Sequence, residues 1–440
     1  MGSLRASVAT VDSSQNHRFL TPRTKLLEAR VSSCPELDTL DLISAKLHRD
    51  ERPLDFTAII ELDADETLLE GLHAGAMSAG RTFPSSVSRV VGRCWERSEE
   101  SPLQVVHLDP DQVDAQVADF VNGGKDPHED IQVRQMLIRR GDSMKPLLLT
   151  RFHHCAMDGT SAGLWVFHQL MVASGEIEAE TEWQNPAAPV LRSHPNHQRK
   201  APTAHWGASR RLYSPNTRPS RERQWCSFKV ESAPIRDALQ SIKGVTYNDY
   251  LAAQYLQAMK DWNSDHDCPS NRMSVWLPMN IRDQAFVGFG NGSSRIRVYA
   301  DAIEGETVKE RCVGFRSALN GSRDVGEWHI PAATGLLSLP DFLMVPILRV
   351  YLNRPGVDMG SAPFTHMERL GSVSRFLSMV TSAQWVMMLH PRYPLGVAAA
   401  SVGDRTEVTL THDPQMLSAE LAREFMERFQ RLILEGQEAF

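Results

Sequence analysis

Residues 151–163 read RFHHCAMDGTSAG, and two kinds of chemistry overlap in them. His153 and His154 are followed at fixed spacing by Asp158 and Gly159. A neutral imidazole accepts a proton at physiological pH. Set beside an alcohol or amine, His154 would act as a general base, an effect worth about 10²–10⁴ in rate. Asp158, four residues on, can orient that histidine, ligate a metal, or pin the loop through an arginine. Gly159 lets a backbone approach closely and turn an N–H toward a developing oxyanion. The same letters spell G-x-S-x-G over residues 159–163, which would make Ser161 a nucleophile belonging to the protein itself.

The elements on either side weigh between these readings. KPLLLTRF (145–152) has the apolar character of a strand, and AGLWVFHQLMVA (162–173) that of a helix. His154 therefore stands just past a strand end, next to a helix start. Adjacent side chains there point to opposite faces, so His153 and His154 do not easily share one ion, and no metal is expected. A nucleophile elbow needs its strand to run straight into the G-x-S turn. Here six residues separate Phe152 from Gly159. The ordinary role for Thr160 or Ser161 is a helix N-cap.

Around this stretch the first half alternates strand and helix signals. Strands are expected at 55–62, 87–91, 103–107 and 131–139. One helix is expected from Glu66 behind an Asp63/Glu66 capping box, stopping at Gly80, and another behind an Asp111 cap. Residues 183–221 hold six prolines, seven Lys or Arg and no acidic residue. They read as a linker, or as a basic strip in which Arg210, Arg211 and Arg218 would meet phosphate. The second half resumes with strands at 223–230, 274–281 and 293–300. It has helices at 246–262 and 306–319, a hairpin at 395–413 turning at Gly403-Asp404, and a closing amphipathic helix from about Ser418 to Leu434. The expected organisation is a first lobe over 1–180, a linker over 181–222 and a second lobe over 223–440.

Composition narrows the function classes. The chain has 440 residues, is 42% hydrophobic, and carries 47 basic against 54 acidic side chains. A nucleic-acid binder would show a basic excess, and none is present. The six cysteines form no C-x-x-C pair, and scattered thiols suit a reducing compartment. The N-terminus has no apolar signal-peptide core, so a cytoplasmic location is expected. FLMVPILRVYL (342–352) is too short to cross a bilayer and carries Arg349. It reads as a buried helix kinked at Pro346, with a lipid-touching or substrate-touching surface as the alternative.

HHCAMDG fits H-H-x-x-x-D-G and resembles the chloramphenicol acetyltransferase-like acyltransferase superfamily. That group includes nonribosomal peptide condensation domains, polyketide-associated acyltransferases, plant acyltransferases and wax ester synthase/diacylglycerol acyltransferases. VTYNDYLAA (245–253) resembles the T-x-N-D helix start, and LPMNIR (277–282) with GFGNG (288–292) resembles the N-x-R…G-N segment of the second lobe. The likeness runs from about residue 20 to the C-terminus and is weak at the start and through 183–221. No D-F-G-W-G occurs, which sets the plant branch aside, and GFGNG departs from the usual condensation-domain turn.

The resemblance implies an α/β fold of two lobes, each a mixed β-sheet flanked by helices, with a tunnel between them. His154 would be the base, Asp158 a brace paired with Arg282, and Gly159 a border of the oxyanion region. His153, Asn291 and Asn248 would be supporting residues. It implies an acyl-CoA or a phosphopantetheinyl acyl carrier as co-substrate, with no bound cofactor. The acceptor would be an alcohol or amine, and the chain a free-standing enzyme, expected to be a monomer, with peripheral membrane contact left open. A serine hydrolase built on Ser161, an amide-forming condensation protein and a non-catalytic carrier-binding module are the alternatives.

Overall fold

The computed structural model describes residues 37, 41, 44–45, 54–124, 126–141, 144–183, 209–270, 272–280, 291–324, 343, 346–347, 360–367 and 374–439. The first half contains β1 (Asp55–Leu62), α1 (Glu66–Thr82), β2 (Ser88–Val91), β3 (Cys94–Arg97) and β4 (Leu103–His107), then α2 (Pro110–Asn122), β5 (Val133–Arg139), β6 (Leu147–His153) and α3 (Gly159–Ala173). The second half contains β7 (Gln224–Glu231), α4 (Ala233–Leu239), α5 (Tyr247–Asp265), β8 (Ser274–Asn280), β9 (Ser293–Tyr299) and α6 (Val308–Asp324). It closes with β10 (Ala362–Met367), α7 (Ser374–Met379), β11 (Val380–Val386), β12 (Leu395–Val402), β13 (Arg405–His412) and α8 (Ala419–Glu438).

Two mixed sheets result. The first has the order β11-β1-β6-β5-β4 and the second β7-β13-β12-β10-β8-β9, while β2 and β3 form a separate hairpin. β11 belongs to the second half of the chain, yet it forms the edge of the first sheet, pairing Thr57 with Val386 and Ile60 with Ala383. The pattern reading assigns no strand to 380–386. VTSAQWV carries three polar residues that blur its alternation, and their partners come from elsewhere in the fold. Ser382 Oγ and Gln384 Nε2 donate to Glu407, and Thr381 Oγ1 donates to Glu61.

β12 joins the two cores. Ala398 and Ala400 belong to the first-lobe core with Phe56, Phe152 and Trp165. Leu395, Val397 and Ala399 belong to the second-lobe core with Tyr255, Trp262 and Phe425. Successive side chains on a strand face opposite ways, so one strand serves both cores. The run LGVAAASV is apolar and small on both faces for that reason.

Several boundaries differ from the expectation. The cap of α1 is Asp65, which accepts the Leu68 N–H at 2.8 Å, while Asp63 meets Lys145 at 2.9 Å instead. Gly80 does not stop α1. It is buried inside the helix, where an added Cβ would lie 2.9 Å from Val87, so its smallness serves packing. α2 follows Asp109, not Asp111, with Pro110 in the first helical position, where its fixed φ suits a helix start. α5 keeps its expected start, because Thr246 and Asp249 close a capping box. In the 342–352 run the described residues Leu343, Pro346 and Ile347 are helical but exposed, not buried. The rest of that run lies outside the described residues. Among the described residues no helix is long and apolar enough to cross a membrane.

Candidate active site

β6 ends at His153, one residue later than expected, and pairs Asp55 with His153 and Phe56 with Phe152 across to β1. The pleat sends the two histidines to opposite sides. His153 is 5% exposed. Its Nδ1 accepts the Cys155 N–H at 3.1 Å, and it faces a small polar cavity lined by Asp55, Gln132, Arg134 and Arg151. In its wall Asp55 is buried against Arg223, at 2.9 Å, and Arg151, at 3.7 Å. Burial pushes the Arg151 guanidinium below its ordinary value, against the pull of Asp55.

His154 turns the other way and is half-buried. Its backbone N–H donates to Leu54 O at 2.7 Å, and its ring stands edge-on to Phe56, 5.8 Å between centroids. Its Nδ1 lies 2.9 Å from Asn291 Oδ1. The Asn291 Nδ2 meets two acceptors, the His154 carbonyl oxygen and Asp41 Oδ1, the latter at 3.1 Å. A carbonyl and a carboxylate only accept. The amide is therefore held with its NH₂ toward them and its oxygen toward the ring. In the neutral ring this arrangement puts the hydrogen on Nδ1 and the lone pair on Nε2. Among the described residues nothing hydrogen bonds Nε2.

Asp158 is 2% exposed, and its contacts include two backbone N–H groups. Oδ1 accepts the Ser161 N–H at 2.9 Å, which caps α3, and Oδ2 accepts the Gly292 N–H at 3.0 Å. The helix cap is thus Asp158, not Thr160 or Ser161, because its carboxylate reaches the third N–H of the helix. Ser161 is 1% exposed on the first turn, and no strand runs directly into it. Gly159 opens α3, where an added Cβ would lie 3.2 Å from Met367 Sδ of β10. Cys155, between the two motif ends, is a poor nucleophile: burial pushes its thiol well up, and its Sγ donates to Gln132 Oε1 at 2.9 Å.

The structure thus brings His154, Asp158 and Asn291 together, with Gly159 beside Asp158. Arg282 lies outside the described residues, as do residues 288–290 of GFGNG. Asn248 stands half-buried on the first turn of α5 and makes none of the hydrogen bonds around His154. In that motif the working side chain is Asp249, which bonds Thr246 and Arg316. Arg210, Arg211 and Arg218 are exposed. Sequence reasoning missed Asp41, Arg223 and Met367. Each is a single residue with no neighbouring pattern, and its partner lies far along the chain.

No family model matches the sequence, and no curated relative matches it either. Solved structures do match. The wax ester synthase/diacylglycerol acyltransferase from Marinobacter aquaeolei VT8 aligns over 92% of this chain and 99% of its own, at TM-score 0.58 and 15% identity. The trichothecene 15-O-acetyltransferase from Fusarium sporotrichioides aligns over 91% of this chain and 94% of its own, at TM-score 0.64 and 12% identity. The condensation domain of the monacolin K polyketide synthase aligns over 92% and 98%, at TM-score 0.64 and 12% identity. The chain has the chloramphenicol acetyltransferase-like fold. At these identities the likeness is one of architecture. Within this acyltransferase-like architecture, the side chains of residues 153–159 and 291 are those positioned as described above.

Proposed function

We propose that the chain is an acyltransferase in which His154 is the general base. Nε2 takes the proton of an alcohol or amine as its oxygen or nitrogen bonds to the carbonyl carbon of an acyl thioester. The tetrahedral oxyanion collapses, the C–S bond breaks, and the leaving thiolate takes the proton back from Nε2. The N–H groups of Gly159 and Thr160, ahead of the Ser161 N–H that Asp158 holds, have no partners within the helix, and Gly159 bears no side chain to cover them. They are the proposed oxyanion donors, each good donor being worth about 3 kcal/mol. The donor class is an acyl-CoA or a phosphopantetheinyl carrier, and no metal or prosthetic group takes part.

The observation that supports this reading is the Asn291 contact to His154 Nδ1 at 2.9 Å, since a hydrogen on Nδ1 would leave Nε2 of the neutral ring to accept a proton. The same step with an amine acceptor would form an amide in place of an ester. The test is incubation with mixed acyl-CoAs and with alcohols or amines, read by mass spectrometry for new esters and amides. His154→Ala should cut transfer by about 10²–10⁴ while the chain stays folded. Near-normal turnover in that variant would sink the mechanism. A Ser161 hydrolase instead predicts labelling by a fluorophosphonate probe that disappears in Ser161→Ala.

A further inference from the structure

We propose that Asp41 is a positioning residue for His154, acting through Asn291 to hold the ring in the tautomer with its hydrogen on Nδ1. Asp41 is 8% exposed and belongs to the N-terminal segment, far in sequence from both lobes' motifs. Its Oδ1 accepts from Asn291 Nδ2 at 3.1 Å, and Asn291 Oδ1 accepts from His154 Nδ1 at 2.9 Å. Asn291 is itself 4% exposed, so water does not replace either partner.

An asparagine alone would be an ambiguous support. Its oxygen and its NH₂ have nearly the same shape, and turning the amide over reverses what it offers the ring. Presented with NH₂, Nδ1 would have to accept. The ring hydrogen would then sit on Nε2, the atom that has to be empty for base catalysis. The His154 carbonyl opposes that turn by accepting from the same Nδ2. Asp41 opposes it from a second direction, as an acceptor for the other hydrogen of the same NH₂. The three residues form a chain in which a fixed acceptor sets an amide and the amide sets an imidazole. The consequence for rate rests on His154 being the base, but the consequence for the ring does not.

The test labels the histidine rings of the full chain with ¹⁵N and reads long-range ¹H–¹⁵N correlations near pH 8, where imidazole is neutral. His154→Gln assigns the signals. Wild-type His154 should show hydrogen on Nδ1. Asp41→Ala should raise the Nε2–H population about tenfold, the equilibrium factor for losing one hydrogen bond to a charged acceptor. Asp41→Asn, which keeps an acceptor but can also turn its own NH₂ toward Asn291, should fall between the wild type and Asp41→Ala. Where Asp41→Ala fails to fold, Asp41→Ser is too short to reach Asn291 and should show the same rise. An Nε2–H ring in the wild type overturns the proposal, and so does an unchanged ring in a folded Asp41→Ala or Asp41→Ser. Transfer assayed alongside should fall in kcat with KM unchanged in Asp41→Ala, in proportion to the fraction of rings that lose the Nδ1 hydrogen. If transfer survives His154→Gln, the base assignment fails while the ring result still decides the role of Asp41.

Discussion

Asp158 accepts the backbone N–H of Gly292 at 3.0 Å, across 134 residues of chain. The residue before Gly292 is Asn291, which accepts from His154 at 2.9 Å. Two consecutive residues of the second lobe thus hold two positions of the histidine motif. The carboxylate holds the backbone of that segment, and the amide beside it meets the Nδ1 side of the ring.

Asp158→Ala should therefore destabilise first. It removes a helix cap and a link between distant segments, together costing about 2 kcal/mol. Urea denaturation should show a lower midpoint with an unchanged slope. An unchanged midpoint together with lost transfer would mean that Asp158 takes part in the chemistry and is no brace.

The Asp55–Arg223 pair is a second brace between the halves. Asp55 is 2% exposed and Arg223 8%. Arg223 donates to Asp55 Oδ1 at 2.9 Å, to Asp55 O at 2.7 Å and to Val121 O. Arg223→Met should cost about 3 kcal/mol, because it leaves a buried carboxylate without its main partner. The double variant Asp55→Asn/Arg223→Met should recover part of that loss. Equal midpoints for the single and double variants would show that the unpaired buried charge is not the cause.

Gly159 and Met367 should be coupled. A methyl group on residue 159 would sit 3.2 Å from the Met367 sulfur, a close approach that a flexible thioether can relieve by moving. Gly159→Ala should fold with about 1 kcal/mol lost, and Met367→Ala in the same chain should return much of it. A double-mutant cycle on denaturation midpoints reads the coupling, and simple additivity would contradict the contact.

Stability should fall with acid through His168. Burial lowers the His168 imidazole from its ordinary 6.5, against a raising influence from Glu180, and the ring bonds Ser78 Oγ at 2.9 Å. The unfolded chain then binds more protons than the folded one between the lowered value and 6.5. Stability is full above that window and is lost as pH drops through it. His412, also lowered by burial, acts in the same direction. Denaturation midpoints at about pH 7.5 and about pH 5 should differ, and His168→Gln should shrink the difference. A difference unaffected by that substitution would assign the acid loss elsewhere.

Much of the fold was legible wherever a segment carries its own periodicity. β1, β4 and the β12–β13 hairpin fall where the letters place them, because short apolar runs and a Gly-Asp turn are local signals. β11 was not legible. Its polar residues look unstrandlike until Glu407 and Glu61, brought in from other strands, accept their hydrogen bonds. Gly80 misled in the same way, since a glycine that ends a helix and one that fits beneath Val87 are the same letter.

At the site the division has the same cause. RFHHCAMDG by itself determined a strand end close to a helix start and two histidines on opposite faces, both set by the covalent spacing of neighbours, but not that Asp158 caps the helix. Only the tertiary structure decided which partner each side chain meets. A hydrogen bond acts over about 3 Å, and the spacing of neighbours carries no record of which distant residue will come that close. Asn291 reaches His154, Gly292 reaches Asp158, and Asp41 reaches Asn291 only because the folded lobes put them there.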